Sequence, residues 1–263
     1  MHKKDSTATD EAGESDRPKM DSVIAKVVAS LEMLSKADAP VGVSAAARAL
    51  DLDKSNVHRI FNTLTELGYV QKHEDTGRYS ATLKLWEHGS AIVSRHPVKR
   101  AGQPLLRMLR QQTSESPYIA MLQDLEVLYL DRIDSPYPLV AQVEVGRRVP
   151  AYSTASGKAM LAFQPDPAAL LGQLPASVRS TLDVPALIEE FAVIRRRGFA
   201  ISTNAAVAGM SAVAAPVLRR GQPPFFAVGV GGLSEKFGEE YIEKMGMAVL
   251  NAAVGLAEVI GSA

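Results

Sequence analysis

Residues Asp53 to Leu85, DKSNVHRIFNTLTELGYVQKHEDTGRYSATLKL, restrict the possible folds of this chain more than any other stretch. The first half has helical periodicity. Val57, Ile60, Phe61, Leu64 and Leu67 fall on one stripe, while Ser55, Arg59, Asn62 and Glu66 fall opposite, with His58 and Thr63 at the edges. Asp53 stands where a helix cap belongs, and Gly68 where a left-handed C-terminal residue belongs. The second half brackets Asp75-Thr76-Gly77, which is turn chemistry, with Tyr69 and Val70 on one side and Tyr79 and Ala81 on the other. This predicts a β-hairpin. An amphipathic helix running straight into a hairpin predicts a winged helix-turn-helix, a domain that lays a helix in a DNA groove.

The preceding residues supply the rest of such a domain. Ser22 to Lys36 carries Val23, Val27, Leu31 and Leu34 at helical spacing, with Asp21 and Ser22 as possible caps. Pro40 and Gly42 break the pattern, and Ser44 is expected to cap a short second helix over AAARAL. A further helix is expected from about Leu83 to Ser94, ended by His96-Pro97. Beyond Pro97 the texture changes. Helices are expected over Val98–Gln112, Ser156–Phe163, Val184–Arg197 and Ile242–Ile260. Strands are expected over Tyr118–Gln123, Val127–Arg132, Leu139–Val145, Val213–Leu218 and Phe225–Gly231. Strands joined by short turns and mixed with helices argue for an α+β sensor-type fold with an antiparallel sheet. The expected division is a disordered tail over 1–20, a winged helix over 21–82, a linker helix over 83–96 and a ligand-responsive domain over 97–263.

Composition narrows the chemistry. The chain has 263 residues and no cysteine, so a disulfide framework, a thiolate metal site and a cysteine nucleophile are out. That fits a reducing compartment, and a cytoplasmic location is expected. The five histidines show no ligand spacing, so neither metal nor cofactor is expected. No run of about 18 apolar residues is visible, so no membrane span is expected. The N-terminal stretch has no apolar segment and does not read as a secretory signal. Net charge is zero, and from Met20 to Arg95 nine Lys plus Arg face nine Asp plus Glu. A nucleic-acid reading therefore rests on where the cations sit.

At the expected DNA end, Lys54, Ser55 and Asn56 occupy the first turn, where helix N–H groups favour phosphate. Arg59 can read guanine and Asn62 adenine, each worth roughly 1–3 kcal/mol of discrimination. His58 and Thr63 flank them, and Lys72 and Arg78 on the wing suit phosphate. The alternative is an ordinary solvated helix face.

The other chemical motif is YSTASGKAM, Tyr152 to Met160. It is not a P-loop, because Tyr152 stands where the first glycine is needed and Ala159 replaces the metal-binding hydroxyl. Nor is it a serine-x-x-lysine site, since Ala155 stands where the serine should. What remains is a small-residue turn opening a helix, whose N–H groups suit an anion such as a carboxylate.

In this order and at these separations the motifs resemble the IclR family of bacterial transcription regulators, from about Ser22 to Ile260. The resemblance runs through LDLDKSNVHRIFNTLTELGYV, the EDTGRY wing, GRRVPAYSTASGKAMLA, RRRGFAIS and GMSAVAAPV. It implies a winged helix, a linker helix and an effector-binding domain with a GAF-like or PAS-like sheet. It also implies homodimers or homotetramers on double-stranded operator DNA, and no catalysis. Effector-binding positions carried over are Ala155, Ser156, Gly157, Ser202, Ala212, Gly229 and Gly231. The chain departs from the pattern at Ala205, often glutamate, at Ala212, often cysteine, and at Gly229 and Gly231, often hydroxyl-bearing. We therefore expect a roomier, less polar cavity and an aromatic or largely apolar carboxylic acid as effector. Two rival readings stay open. One is an enzyme using Ser153, Thr154 or Ser156 as nucleophile, although no histidine lies beyond His96 to serve as base. The other is an adaptor whose winged helix never touches DNA.

Overall fold

The computed structural model describes residues 22–137, 144–204 and 208–261. The expected tail, most of the expected Leu139–Val145 strand and Ala205 lie outside the described residues. The chain forms two compact units, Met1–Ser90 and Ala91–Ala263.

The first unit contains α1 (Ser22–Ser35), α2 (Val43–Leu50), α3 (Lys54–Glu66), the hairpin β1 (Val70–His73) and β2 (Arg78–Ala81), and the start of α4 (Lys84–Arg95). Val57, Ile60, Phe61 and Leu64 of α3 are buried with Leu34, Ala46, Ala47, Val70 and Tyr79. The apolar stripe is one residue shorter than expected, for Leu67 is 54% exposed. Asp53 takes the cap position of α3 without a side-chain cap bond. The cap of α2 is Gly42, not Ser44, which is already the second residue of the helix. Gly68 has φ +75°, which supplies the left-handed turn from α3 into β1. A bridge from Val41 to Tyr79 ties the α1–α2 connection to the wing.

The second unit is a six-stranded antiparallel sheet in the order β5-β4-β3-β8-β7-β6. Its strands are β3 (Ser116–Gln123), β4 (Glu126–Arg132), β5 (Arg148–Pro150), β6 (Ala200–Thr203), β7 (Met210–Pro216) and β8 (Phe226–Leu233). One face is covered by α5 (Pro97–Thr113) and α10 (Glu239–Gly261) through Leu106, Leu109, Ile119, Val213, Val228, Val230, Val249 and Leu256. The other face packs against α6 (Ala155–Leu161), α7 (Pro167–Gly172) and α9 (Val184–Arg197), through Tyr118, Tyr129, Met160, Leu161, Leu171, Phe191 and Ile194. The short helix α8 (Ala176–Arg179) precedes α9. Of these, β5, β6, α7 and α8 were not expected as elements. A β-bulge between Ile119 and Ala120 pairs them with Asp131 and Tyr129, so β4 spends an extra residue there. The shift carries Asp131 to the α5 side, where Lys99 lies 3.5 Å away and Gln103 donates to it.

One helix bears on the expectation that nothing spans a membrane. By length and composition α10, with mean hydropathy 1.3, is long and apolar enough to cross a membrane, the one such helix among the described residues. Its buried residues, Met245, Gly246, Val249, Ala252, Ala253 and Leu256, sit against the sheet instead.

Candidate DNA-reading surface and effector site

Burying one stripe of α3 forces the remaining side chains outward. Lys54, Ser55, His58, Arg59, Asn62 and Thr63 are exposed and Asn56 is half-buried. They are not independent of one another. Arg59 Nη2 donates to Asn56 Oδ1 at 3.4 Å, and the Thr63 hydroxyl bonds back to the Arg59 carbonyl at 3.0 Å. Asn62 lies between His58 Nδ1, 3.3 Å from its Nδ2, and the Tyr79 hydroxyl, 3.4 Å from its Oδ1. Its amide is engaged at both ends inside the domain, which sequence alone could not reveal.

Lys72 and Arg78 are exposed on the wing. Lys72 pairs with the buried Tyr79 and Arg78 with His73, so the two cations project from opposite faces of the hairpin. They are not brought together.

The C-terminal end of α3 is fastened to the start of α4. Lys84 Nζ donates to the Leu67 carbonyl at 2.7 Å and lies 4.7 Å from the Tyr69 ring centroid. The Thr82 hydroxyl donates to the Gly68 carbonyl at 2.7 Å, and Tyr69 Oη lies 3.3 Å from His88 Nε2.

In the second unit the register sets the floor of a site. Ser202 pairs with Ala212, Ala212 with Gly231, and Gly231 with Ser116. On the adjacent rung, Ala200 pairs with Ala214, Ala214 with Gly229, and Gly229 with Tyr118. Both rungs share the face that α6 covers. The four strand positions singled out from sequence therefore lie side by side, beneath Ala155, Ser156 and Gly157, which are all buried.

At Gly229 the missing side chain does not leave that space empty. A Cβ on Gly229 would fall 2.5 Å from Cζ of Tyr118, so the missing side chain makes room for a tyrosine ring. Tyr118 meets Tyr129 edge-on, with centroids 5.3 Å apart at 88°. The fully buried Ser156 hydroxyl lies near both phenols and 3.4 Å from Thr154 Oγ1. Burial, reinforced by Tyr129, pushes the Tyr118 phenol well above its ordinary value of 10.0, against the opposing Ser156 hydroxyl. Burial also raises Tyr129, opposed by Ser156 and by the Arg147 charge. Around Gly229 the α6 face of the sheet is thus a hydroxyl-bearing aromatic corner.

The helix opening is also busier than the motif suggested. Thr154 caps α6 by accepting from the Gly157 N–H at 3.0 Å, so that amide is not free for an anion. A Cβ on Gly157 would come within 2.0 Å of the Ala151 carbonyl oxygen, which accounts for glycine there. Ser153 donates to the Pro150 carbonyl and accepts, through its own carbonyl, from Ser202 at 3.2 Å. The hydroxyls proposed as nucleophiles thus bond to carbonyls, an amide and other hydroxyls. Among the described residues no cluster of three His, Cys, Asp or Glu could hold a metal.

A winged helix with an outward polar face, continuing into a sheet domain with a closed polar corner, has the build of a two-domain transcription regulator. Comparison with known proteins agrees. The IclR helix-turn-helix domain matches residues 23–74, and the domain described as bacterial transcriptional regulator IclR C-terminal matches residues 90–257. A probable transcriptional regulator, SauR, of Cupriavidus necator is 32% identical over 72% of this chain and 77% of its own. The Thermotoga maritima IclR structure superposes with TM-score 0.70 at 26% identity, covering 90% of this chain and 98% of that one. An IclR homologue of Microbacterium hydrocarbonoxydans, solved with 4-hydroxybenzoate, gives TM-score 0.73 at 23% identity, covering 92% of this chain and all of that one. The chain belongs to the IclR family of bacterial transcriptional regulators, and its N-terminal helix-turn-helix is a DNA-binding domain.

Proposed function

We propose that this regulator reads a specific double-stranded operator through α3 and the β1–β2 wing, and that a small carboxylic acid held on the α6 face of the sheet tunes that binding. The observation that carries the effector reading is the convergence of Tyr118, Tyr129 and Ser156 hydroxyls over a floor of Ser202, Ala212, Gly229 and Gly231. Neutral phenols donate hydrogen bonds to a carboxylate, and two edge-on rings accept a flat apolar body. An aromatic or largely apolar carboxylic acid suits both, with Ala155 and Gly157 closing the site from above. The Microbacterium relative's 4-hydroxybenzoate is a ligand of this class.

On the DNA side, Lys54 and Ser55 meet phosphate at the start of α3, with Asn56 orienting Arg59 toward a base edge. Thr63 supports the far side of the helix, and Lys72 and Arg78 reach different phosphates. The assembly is a cytoplasmic homodimer or homotetramer without enzymatic activity. Leu83, just before α4, and Trp86 and Ile92 along it are 76%, 67% and 70% exposed, more apolar surface than a lone helix tolerates in water.

Gel shift and footprinting on the gene's own upstream DNA test the reading, with and without aromatic acids. Lys54→Ala should weaken native and scrambled duplexes alike and lower the salt slope by about 1. Arg59→Ala should lose roughly 10-fold on the native sequence alone. An unprotected upstream region would refute operator binding, and binding of only small hydrophilic acids would refute the effector class.

A further inference from the structure

Tyr79 is buried in the core of the winged helix, 1% exposed, with its ring against Phe61 at 4.9 Å. Its hydroxyl donates to Asn62 Oδ1 at 3.4 Å. Asn62 Nδ2 faces His58 Nδ1 at 3.3 Å, one helical turn back. The order of these contacts fixes the proton positions. If the Asn62 amide were reversed, the buried phenol would lose its acceptor, at a cost a buried donor seldom bears. So Oδ1 accepts from Tyr79, and Nδ2, which can only donate, faces a bare Nδ1. A neutral His58 ring then carries its proton on Nε2, at its exposed end.

We propose that His58 reads the operator as a fixed hydrogen-bond donor, and that Asn62 and Tyr79 are positioning residues that hold it in that tautomer. This rests on the assignment of α3 as the DNA-reading helix. A fixed donor bonds to acceptors, guanine N7 or O6, adenine N7 or thymine O4, and is mismatched to the amino group that cytosine presents in the major groove. Asn62, committed at both ends, orients His58 in place of reading adenine itself.

The test has two arms on the full-length protein, using Tyr79→Phe, which keeps the ring, and Asn62→Leu, which changes an exposed position. In the first, 15N-edited NMR at about pH 8.5 reports which His58 nitrogen is protonated. Wild type should show Nε2–H alone, and both variants a mixture, with melting curves confirming that they are folded. In the second, selection from randomised duplexes should show wild type discriminating against cytosine at one position of each half-site. His58→Ala, Asn62→Leu and Tyr79→Phe should each reduce that discrimination roughly 3- to 10-fold, with double variants losing no more than the worse single one. Protonation at Nδ1 in wild type overturns the relay, as does a Tyr79→Phe protein with unchanged tautomer and base preference. The NMR arm needs no DNA. A correct tautomer in a protein that selects no duplex would sink the DNA reading, and with it the recognition role of His58.

Discussion

Gly229 and Tyr118 are one packing decision made at two residues. They face each other across β3 and β8, and the ring takes the volume that a side chain at 229 would need. Gly229→Ala should therefore destabilise the sheet domain by about 1–3 kcal/mol in chemical denaturation. The cost should largely vanish in a Tyr118→Ala background, because the pair shares that volume, and a Gly229→Ala penalty unchanged by Tyr118→Ala would refute the account. The buried phenols make a second prediction. Tyr118 and Tyr129 are raised above 10.0 by burial, and Tyr241 is raised by burial and by its hydrogen bond to the Glu115 carboxylate. A folded value above the unfolded one means stability is intact below about pH 10 and falls as pH climbs from there toward the raised values. The urea midpoint of this domain should accordingly hold steady to about pH 10 and drop above it, with phenolate absorbance rising as the protein unfolds.

Among the elements, those with local punctuation were legible and those defined by pairing were not. The bounds of α9 came out as expected because Asp183 caps it and Gly198 at φ +86° ends it. The α3–wing segment was readable because one stripe, one glycine and one turn all agree. By contrast β5 has three residues and β6 four, too short for periodicity, and both exist because neighbouring strands offer them backbone bonds. The seven candidate effector positions were legible only by resemblance. Tyr118 and Tyr129 were not among them, because a tyrosine in a strand does not announce which face it takes, and the extra residue of β4 resets that parity for Tyr129. The α3–α4 fastening was equally invisible, since Lys84 reads as an ordinary cation at a helix start. It yields an element-scale prediction. Lys84→Met keeps the apolar stem but leaves the Leu67 carbonyl without its charged donor, and should cost about 0.5–1.5 kcal/mol in the winged-helix transition. An unaltered transition would show the Leu67 contact to be energetically idle.

For the whole molecule, the distribution of cores decides how binding energy is felt. The winged helix has its own apolar cluster around Phe61 and Tyr79, and the sheet domain has two more, one on each face. Each of the two compact units can therefore unfold on its own core. A ligand stabilises the unit that holds it by about 2.7 kcal/mol at a hundred times its dissociation constant. An aromatic acid seated by Tyr118, Tyr129 and Ser156 should raise the calorimetric transition of the sheet domain first, and Ser156→Ala should abolish most of that shift. Operator duplex should raise the winged-helix transition. Regulation requires one more thing, that each ligand also moves the other's transition slightly, because coupling between sites is reciprocal. Expressed as a free energy, that coupling is RT times the logarithm of the factor by which the acid changes operator affinity. Cross-shifts of zero in both directions, with both ligands bound, would mean that an acid on this sheet cannot control the operator at all.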